Sequence, residues 1–294
     1  MPRCAVLGDP IEHSLSPVLH RAAYAALGLE GWGYDAHRVD EAGLPGFLAG
    51  IDPRLGGEPG WRGLSLTMPL KRTVMPLLDE VSPTAALAGA ANTVLIEDAC
   101  GGVRLTGGNT DVPGAVAAIR ERHEGGVRRL RTAAVLGGGA TATSTLLALA
   151  ELGCEEAVLL VRDAGRAQET LDAVAGHPSA PRTSTAPLSG DAATGALDVD
   201  IVISTIPAQA QGEELVARCA GAEVVFDVIY DPWPTPLAQA AARSGQVLVG
   251  GLDLLIHQAA RQVELMTGVR EAPVAAMRAA GEAALAARVD GAGH

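Results

Sequence analysis

The sequence predicts an α/β protein of two domains, one of them built on a doubly wound parallel sheet. Three observations point there. Short apolar runs alternate with stretches of helical periodicity along most of the chain. From residue 133 onward the strand-like runs are apolar throughout rather than alternating, as parallel strands covered on both faces are. At 294 residues the chain exceeds one ordinary domain of roughly 100–150 residues.

The elements follow in order. Cys4-Ala-Val-Leu-Gly8 reads as a strand and Ser16 to Leu27 as a helix, with Ser16 as its N-cap and Pro17 at the first helical position, where a missing N–H costs nothing. Gly63-Leu-Ser-Leu-Thr67 is a second strand. Gly107-Gly108 then precedes Asn109-Thr-Asp-Val-Pro-Gly114 and a helical run from Ala115 to Arg122, so one domain hands over to the next near residue 112. Beyond it, Ala133–Leu136, Ala157–Val161, Ile201–Ser204, Val224–Phe226 and Val247–Val249 are apolar strands, most of them separated by helical stretches. Leu252 to Met266 and the Ala-rich Pro273 to Arg288 are two final helices.

Composition narrows the function. Hydrophobic residues make up 48% and charged residues 19%, and 36 Gly with 18 Pro fall short of a low-complexity chain, so disorder and fibres are excluded. A net charge of −12 opposes binding to a phosphate backbone, and the one basic run, Arg128-Arg129-Leu-Arg131, has no aromatic neighbours and reads as a solvated segment. The four cysteines, at positions 4, 100, 154 and 219, form no C-x-x-C pair and no ligand-spaced cluster with His, so neither a metal site nor a disulfide framework is expected. Asp9 interrupts the N-terminal segment before a signal-peptide core can form, which predicts a cytoplasmic protein. Thr132 to Ala150 is uncharged and about as long as a bilayer span, but its glycines and hydroxyls read better as strand, turn and helix. No membrane partner is expected.

Gly137-Gly-Gly139-Ala-Thr-Ala142 satisfies G-x-G-x-x-A directly after a strand and before the helical run Thr143 to Leu152. The first glycine permits the tight turn, the second lets backbone N–H groups approach a pyrophosphate, and a small third residue lets helix and strand pack closely, with the helix N-terminus facing the anion. Gly137, Gly138, Gly139 and Ala140 are thus candidate dinucleotide contacts in a Rossmann-type domain. The next strand ends at Val161-Arg162-Asp163-Ala-Gly-Arg166, where the adenosine ribose is read. Arg162 and Arg166 suit the 2′-phosphate of NADP, while Asp163 suits the ribose hydroxyl of NAD. NADP is favoured and NAD remains open.

Upstream, Asp9-Pro-Ile-Glu-His-Ser14-Leu-Ser16-Pro17 places two hydroxyls beside a helix start, where Ser14 and Ser16 can donate to a substrate carboxylate. Lys71 follows a strand and a proline turn, and Asp111 follows a Gly-Gly turn. A lysine near an aspartate suits ketone reduction, in which a positioned ammonium stabilises and then protonates the oxygen that gains charge as hydride arrives.

These patterns, in this order, resemble the shikimate dehydrogenase family. The matching segments are Gly8 to Pro17, Leu66-Thr-Met-Pro-Leu-Lys71, Gly89-Ala-Ala-Asn-Thr93, Gly108-Asn-Thr-Asp111, Gly137-Gly-Gly139, Asp227 to Leu237 and Gly251-Leu-Asp-Leu-Leu-Ile-His-Gln258, spanning nearly the whole chain. The resemblance implies that Lys71 and Asp111 are the catalytic pair and that Ser14 and Ser16 hold the substrate carboxylate, with Tyr230 near it. It implies that Thr67, Asn92 and Gln258 meet the ring hydroxyls and that the Gly251 main chain lies near the nicotinamide. The implied reaction is reversible, NADP-linked reduction of 3-dehydroshikimate to shikimate in aromatic amino acid biosynthesis. The implied domains are residues 1–112 with 256–294 for substrate and residues 113–255 for NADP, a cleft lying between them. A monomer or homodimer is expected.

Three departures from the family's usual residues stand out. Ser65 replaces an asparagine two residues before Thr67, Val161-Arg162-Asp163 replaces an asparagine-arginine-threonine run, and Leu254 replaces a methionine, an exchange costing less than ~1.5 kcal/mol if buried. The nearest alternative is a paralogue acting on quinate or an amino-analogue with NAD. A non-catalytic nucleotide sensor on the same scaffold is the alternative from another class, and the presence of both Lys71 and Asp111 argues against it.

Overall fold

In a computed structural model of the chain, residues 1–52, 54–55, 58–99, 102–123, 129–190 and 195–291 are described, with the side chains of 54, 55, 58, 59, 166 and 289–291 outside that description. Cys100 and Arg128 therefore lie outside the described residues, as does the side chain of Arg166. The chain divides into two units, Met1–Thr110 with Leu255–His294, and Asp111–Leu254.

The first unit is organised by strand β1 (Arg3–Gly8), whose Cys4, Ala5, Val6 and Leu7 are all buried because the strand runs parallel between two neighbours. Those neighbours are β2 (Gly33–Arg38) and β5 (Trp61–Leu66), the short strands β3 (Arg54–Leu55) and β4 (Glu58–Pro59) forming a separate antiparallel pair. With β6 (Glu80–Val81), β7 (Thr93–Ala99) and β8 (Gly102–Gly108) they make a mixed six-stranded sheet of order β2-β1-β5-β7-β8-β6. The pairs β5–β7 and β7–β8 are antiparallel. Leu7, Leu64, Leu66, Leu70, Val94 and Ile96 fill one core, each burial stabilising by roughly 1.5–3 kcal/mol.

Helices α1 (Ser16–Ala26), α2 (Leu44–Ala49), α3 (Leu70–Thr73) and α4 (Pro83–Ala88) complete the N-terminal part. The expectation that Ser16 caps α1 is corrected. Leu15 is the N-cap, its carbonyl already accepting from the Leu19 N–H, so Ser16 falls inside the first turn. The Ser14 hydroxyl instead accepts the Ser16 N–H, at 3.3 Å. Pro17 stays in the first turn, where no N–H is needed.

The second unit is a wholly parallel sheet of β9 (Thr132–Leu136), β10 (Glu156–Val161), β11 (Arg182–Pro187), β12 (Ile201–Ser204), β13 (Val224–Asp227) and β14 (Val247–Gly250), in the order β11-β10-β9-β12-β13-β14. The chain winds outward in one direction from β9 and in the other from β12, the doubly wound order whose ligand crevice lies at the carboxyl ends of those two strands. Its helices are α5 (Asp111–Arg122), α6 (Ala140–Glu151), α7 (Gln168–Ala175), α8 (Glu213–Arg218) and α9 (Pro236–Ser244). α6 starts one turn before the expected Thr143, and the uncharged stretch from Thr132 is β9, a glycine turn and α6. No helix among the described residues is long and apolar enough to cross a membrane.

Two long helices end the chain. α10 (Gly251–Thr267) begins at the end of β14, and α11 (Val274–Gly291) packs on α1, where the Arg288 guanidinium donates to the His13 carbonyl at 3.0 Å. Cys4, Cys154 and Cys219 are buried, reduced thiols, and burial pushes them up to about 12, 11 and 12. No group of His, Cys, Asp or Glu among the described residues is arranged to hold a metal ion.

Candidate functional site

In the first unit, the candidate residues cluster at one end of the sheet. Thr67 follows β5, and its N–H donates to the Leu7 carbonyl. A Cβ at Gly8 would collide with the Thr67 methyl, so the glycine admits Thr67 to the end of β1. Lys71 lies on the single turn of α3, and its carbonyl accepts from the Ala91 N–H at 2.8 Å, tying that turn to the segment carrying Asn92.

Asn92 is 1% exposed and fully engaged. Its Oδ1 accepts from the Thr93 hydroxyl at 2.9 Å and the Thr110 N–H at 2.8 Å. Its Nδ2 donates to Thr110 Oγ1 at 2.9 Å and to Gln258 Oε1 at 3.2 Å. Two residues from distant parts of the sequence, Asn92 and Gln258, are thus in direct contact.

A buried polar chain runs on from this pair. Gln262, on α10, donates to Thr93 Oγ1 and accepts from the Ser65 hydroxyl, which in turn accepts from the Tyr34 phenol at 2.6 Å. Ser65 therefore acts as a buried polar link at the position where the family usually has asparagine. His20 stacks on Tyr34 with ring centroids 3.9 Å apart, and its Nε2 lies 3.3 Å from Gln262 Oε1. Burial lowers the His20 pKa from 6.5 to about 3, so the ring is neutral, while burial raises that of Tyr34. Sequence reasoning missed His20, Tyr34, Thr93, Thr110 and Gln262. Only Gln262 left a signal, since it lies one helical turn beyond Gln258.

The second unit carries the remaining candidates. Gly137 has φ +111°, and a side chain there would strike the Thr205 hydroxyl, so the turn after β9 requires glycine. At Gly138 a Cβ would lie 3.3 Å from Val161 and 3.4 Å from Ala167. Gly139 is the N-cap of α6 with no side chain over the first-turn N–H groups, and Ala140 is the first helical residue. This is an open cradle for an anion. Arg162 is exposed beyond β10 and lines a cavity of about 280 Å³ with Leu188, Ser189, Glu214 and Arg218. Asp163 caps its own loop, its Oδ1 accepting from the Gly165 N–H at 2.9 Å.

Gly251, at the start of α10, leaves no room for a side chain, because a Cβ would overlap the backbone of Val228 and Ile229. That backbone is held by Asp227, fully buried at the end of β13. Its Oδ2 accepts from Thr235 Oγ1 at 2.6 Å and Gln211 Nε2 at 2.8 Å, and Oδ1 from the Ile229 N–H at 3.2 Å. Burial raises the Asp227 pKa and the three bonds oppose the rise. Tyr230 lies three residues further along this anchored loop. Asp111 is buried in the first turn of α5, where a carboxylate complements the helix dipole, and follows directly on Thr110, which is bonded to Asn92.

The strand order, glycine turn and separate mixed-sheet unit define a two-domain α/β protein of the dinucleotide-binding class. A family model described as "Shikimate dehydrogenase substrate binding domain" matches residues 6–94, and one described as "Shikimate 5'-dehydrogenase C-terminal domain" matches residues 251–280. A curated relative from Moorella thermoacetica named "Shikimate dehydrogenase (NADP(+))" is 36% identical over 280 residues, covering 93% of this chain and 90% of its own. The solved shikimate dehydrogenase of Mycobacterium tuberculosis is 37% identical, with TM-score 0.80 over 96% of this chain and 99% of that one. That of Thermus thermophilus, solved with NADP(H) and shikimate, is 31% identical, with TM-score 0.76 over 97% of this chain and 100% of that one. The chain belongs to the shikimate dehydrogenase family.

Proposed function

We propose that this chain catalyses the reversible, NADP-dependent reduction of 3-dehydroshikimate to shikimate, a step toward the aromatic amino acids. What supports the reading above all is the direct contact of Asn92 with Gln258, 166 positions apart, whose amides would exchange their mutual bond for the vicinal hydroxyls of a cyclic polyol, on a chain whose relatives are named shikimate dehydrogenases. The first unit, in this reading, binds the substrate. Ser14 and Ser16 meet its carboxylate, and Thr67, Asn92 and Gln258 meet its ring hydroxyls.

The second unit fits NADP by its glycine turn, where Gly137 and Gly138 pack without side chains against Thr205, Val161 and Ala167 and Gly139 leaves the N-terminus of α6 uncapped. The N–H groups of Gly138, Gly139 and Ala140 would face the pyrophosphate, the Gly137 N–H being taken by the Leu160 carbonyl at 2.9 Å, Arg162 would pair with the 2′-phosphate, and the Gly251 main chain would border the nicotinamide. Bound NADPH supplies the hydride. Lys71 stabilises the oxygen that becomes negative and gives it a proton, later regained from solvent, and Asp111 accepts from the adjoining hydroxyl. In the oxidation direction the same groups run in reverse. The protein acts in the cytoplasm as a monomer or homodimer with no nucleic-acid partner, consistent with its net charge of −12.

Asp163 favours the second reading, an NAD-linked enzyme acting on quinate. A panel of shikimate and quinate against NADP and NAD, followed by absorbance of the reduced nicotinamide, decides between them. Turnover is expected to be highest with shikimate and NADP. A preference for quinate with NAD refutes the proposal, and absence of turnover with every pair favours a sensor.

A further inference from the structure

Gln262 is 1% exposed, and its amide makes every hydrogen bond available to it. Nε2 donates to the Asn92 carbonyl and to Thr93 Oγ1, each at 3.0 Å. Oε1 accepts from the Ser65 hydroxyl at 2.7 Å and lies 3.3 Å from His20 Nε2. A backbone carbonyl can only accept, so the Asn92 carbonyl fixes which end of the amide is nitrogen. The oxygen then faces Ser65 and His20, and the neutral imidazole must carry its proton on Nε2.

The consequence passes through Thr93. Having accepted from Gln262, its hydroxyl has its one proton left to give, and gives it to Asn92 Oδ1 at 2.9 Å. The Thr110 N–H reaches the same oxygen, so the Asn92 nitrogen is forced to the side where Gln258 Oε1 lies. Without the Gln262 donor, the Thr93 hydroxyl is free to turn toward Thr110 Oγ1, 3.5 Å away, and the Asn92 amide loses one of the bonds that set its direction. The strand itself does not depend on Gln262, because the Asn92 carbonyl also accepts from the Leu66 N–H at 2.8 Å.

We infer that Gln262 is a positioning residue for substrate recognition, orienting the Asn92 and Gln258 amides through the Thr93 hydroxyl without touching the substrate itself. This rests on the reading of Asn92 and Gln258 as the residues that meet the substrate hydroxyls. Leaving one directing bond unmade in a buried polar network costs about a tenfold loss in affinity.

The test is steady-state kinetics of the full chain with shikimate and NADP for Gln262→Met, which keeps the side-chain length and removes all four bonds. The KM for shikimate is expected to rise about tenfold or more, with the KM for NADP unchanged and kcat within about threefold. Thr93→Val removes the hydroxyl that joins Gln262 to Asn92 while keeping the Gln262 bonds to Ser65 and to the Asn92 carbonyl, should raise the same KM, and should add little when combined with Gln262→Met. A folded Gln262→Met enzyme with unchanged shikimate KM, or with both KM values raised equally, overturns the inference. If Gln262→Met does not fold, an unchanged shikimate KM in Thr93→Val overturns it instead. A wild-type chain inert toward shikimate overturns the functional reading itself and the inference with it, whereas an active wild type with unaffected variants overturns the inference alone.

Discussion

His20 makes the first unit sensitive to acid in a way that can be measured. Its ring is completely enclosed, and the loss of water, only partly offset by the bond to Gln262, lowers its pKa from 6.5 to about 3. In the unfolded chain the imidazole takes up a proton below pH 6.5, and in the folded chain not until about pH 3. The folded-state affinity is the lower one, so the stabilisation is complete above pH 6.5 and is lost as pH falls. Linkage gives about 2 kcal/mol lost by pH 5 and about 5 kcal/mol at the acid limit. His20→Phe keeps the stack on Tyr34 but does not titrate. Urea unfolding at pH 7.5 and pH 5.0, in a Trp233→Phe background, confines tryptophan fluorescence to Trp32 and Trp61 of the first unit. The parent is expected to lose about 2 kcal/mol more than the His20→Phe variant between the two pH values. Equal losses would show that His20 is protonated, or reached by water, in the folded state.

Further expectations concern the chemistry and the cofactor. Lys71→Met should lower kcat by about 10²–10⁴-fold with a smaller effect on shikimate binding, and near-normal turnover would remove the proton-transfer role. Arg162→Ala should weaken NADP far more than NAD in fluorescence titrations, because only NADP carries the 2′-phosphate, and equal losses would refute that pairing. Gly137→Ala places a side chain at φ +111° and against Thr205. It should destabilise the second unit by about 1–3 kcal/mol in thermal unfolding and weaken both cofactors alike, and an unchanged midpoint would show that the turn tolerates a Cβ.

The parts of the fold legible in the sequence are those whose burial is uniform. β9, β10, β12 and β13 are central strands with apolar residues on both faces, and they read directly as apolar runs. β11, Arg-Thr-Ser-Thr-Ala-Pro, escaped because it is an edge strand with little buried, and β2, with only Tyr34 buried, escaped for the same reason. The glycine turn was legible because its backbone conformation excludes other residues. The starting point of α6 was not, since Ala140, Thr141 and Ala142 suit a loop and a helix about equally. Within the substrate cluster, Asn92 and Gln258 stood out only through the family resemblance. The supporting network was not visible, because Gln262, Ser65, Thr93 and Tyr34 meet across as many as 197 positions of sequence and each alone resembles an ordinary polar residue.

The deep placement of Cys4, Cys154 and Cys219 has a chemical consequence of its own. With pKa values of about 11 to 12, only about one in 10⁴ to 10⁵ of these sulfurs is ionised at pH 7, against a few per cent for a thiol in open water. Peroxide, electrophilic drugs and mixed disulfides all attack through the anion, so at these three positions the chain offers oxidants almost nothing to react with until it unfolds.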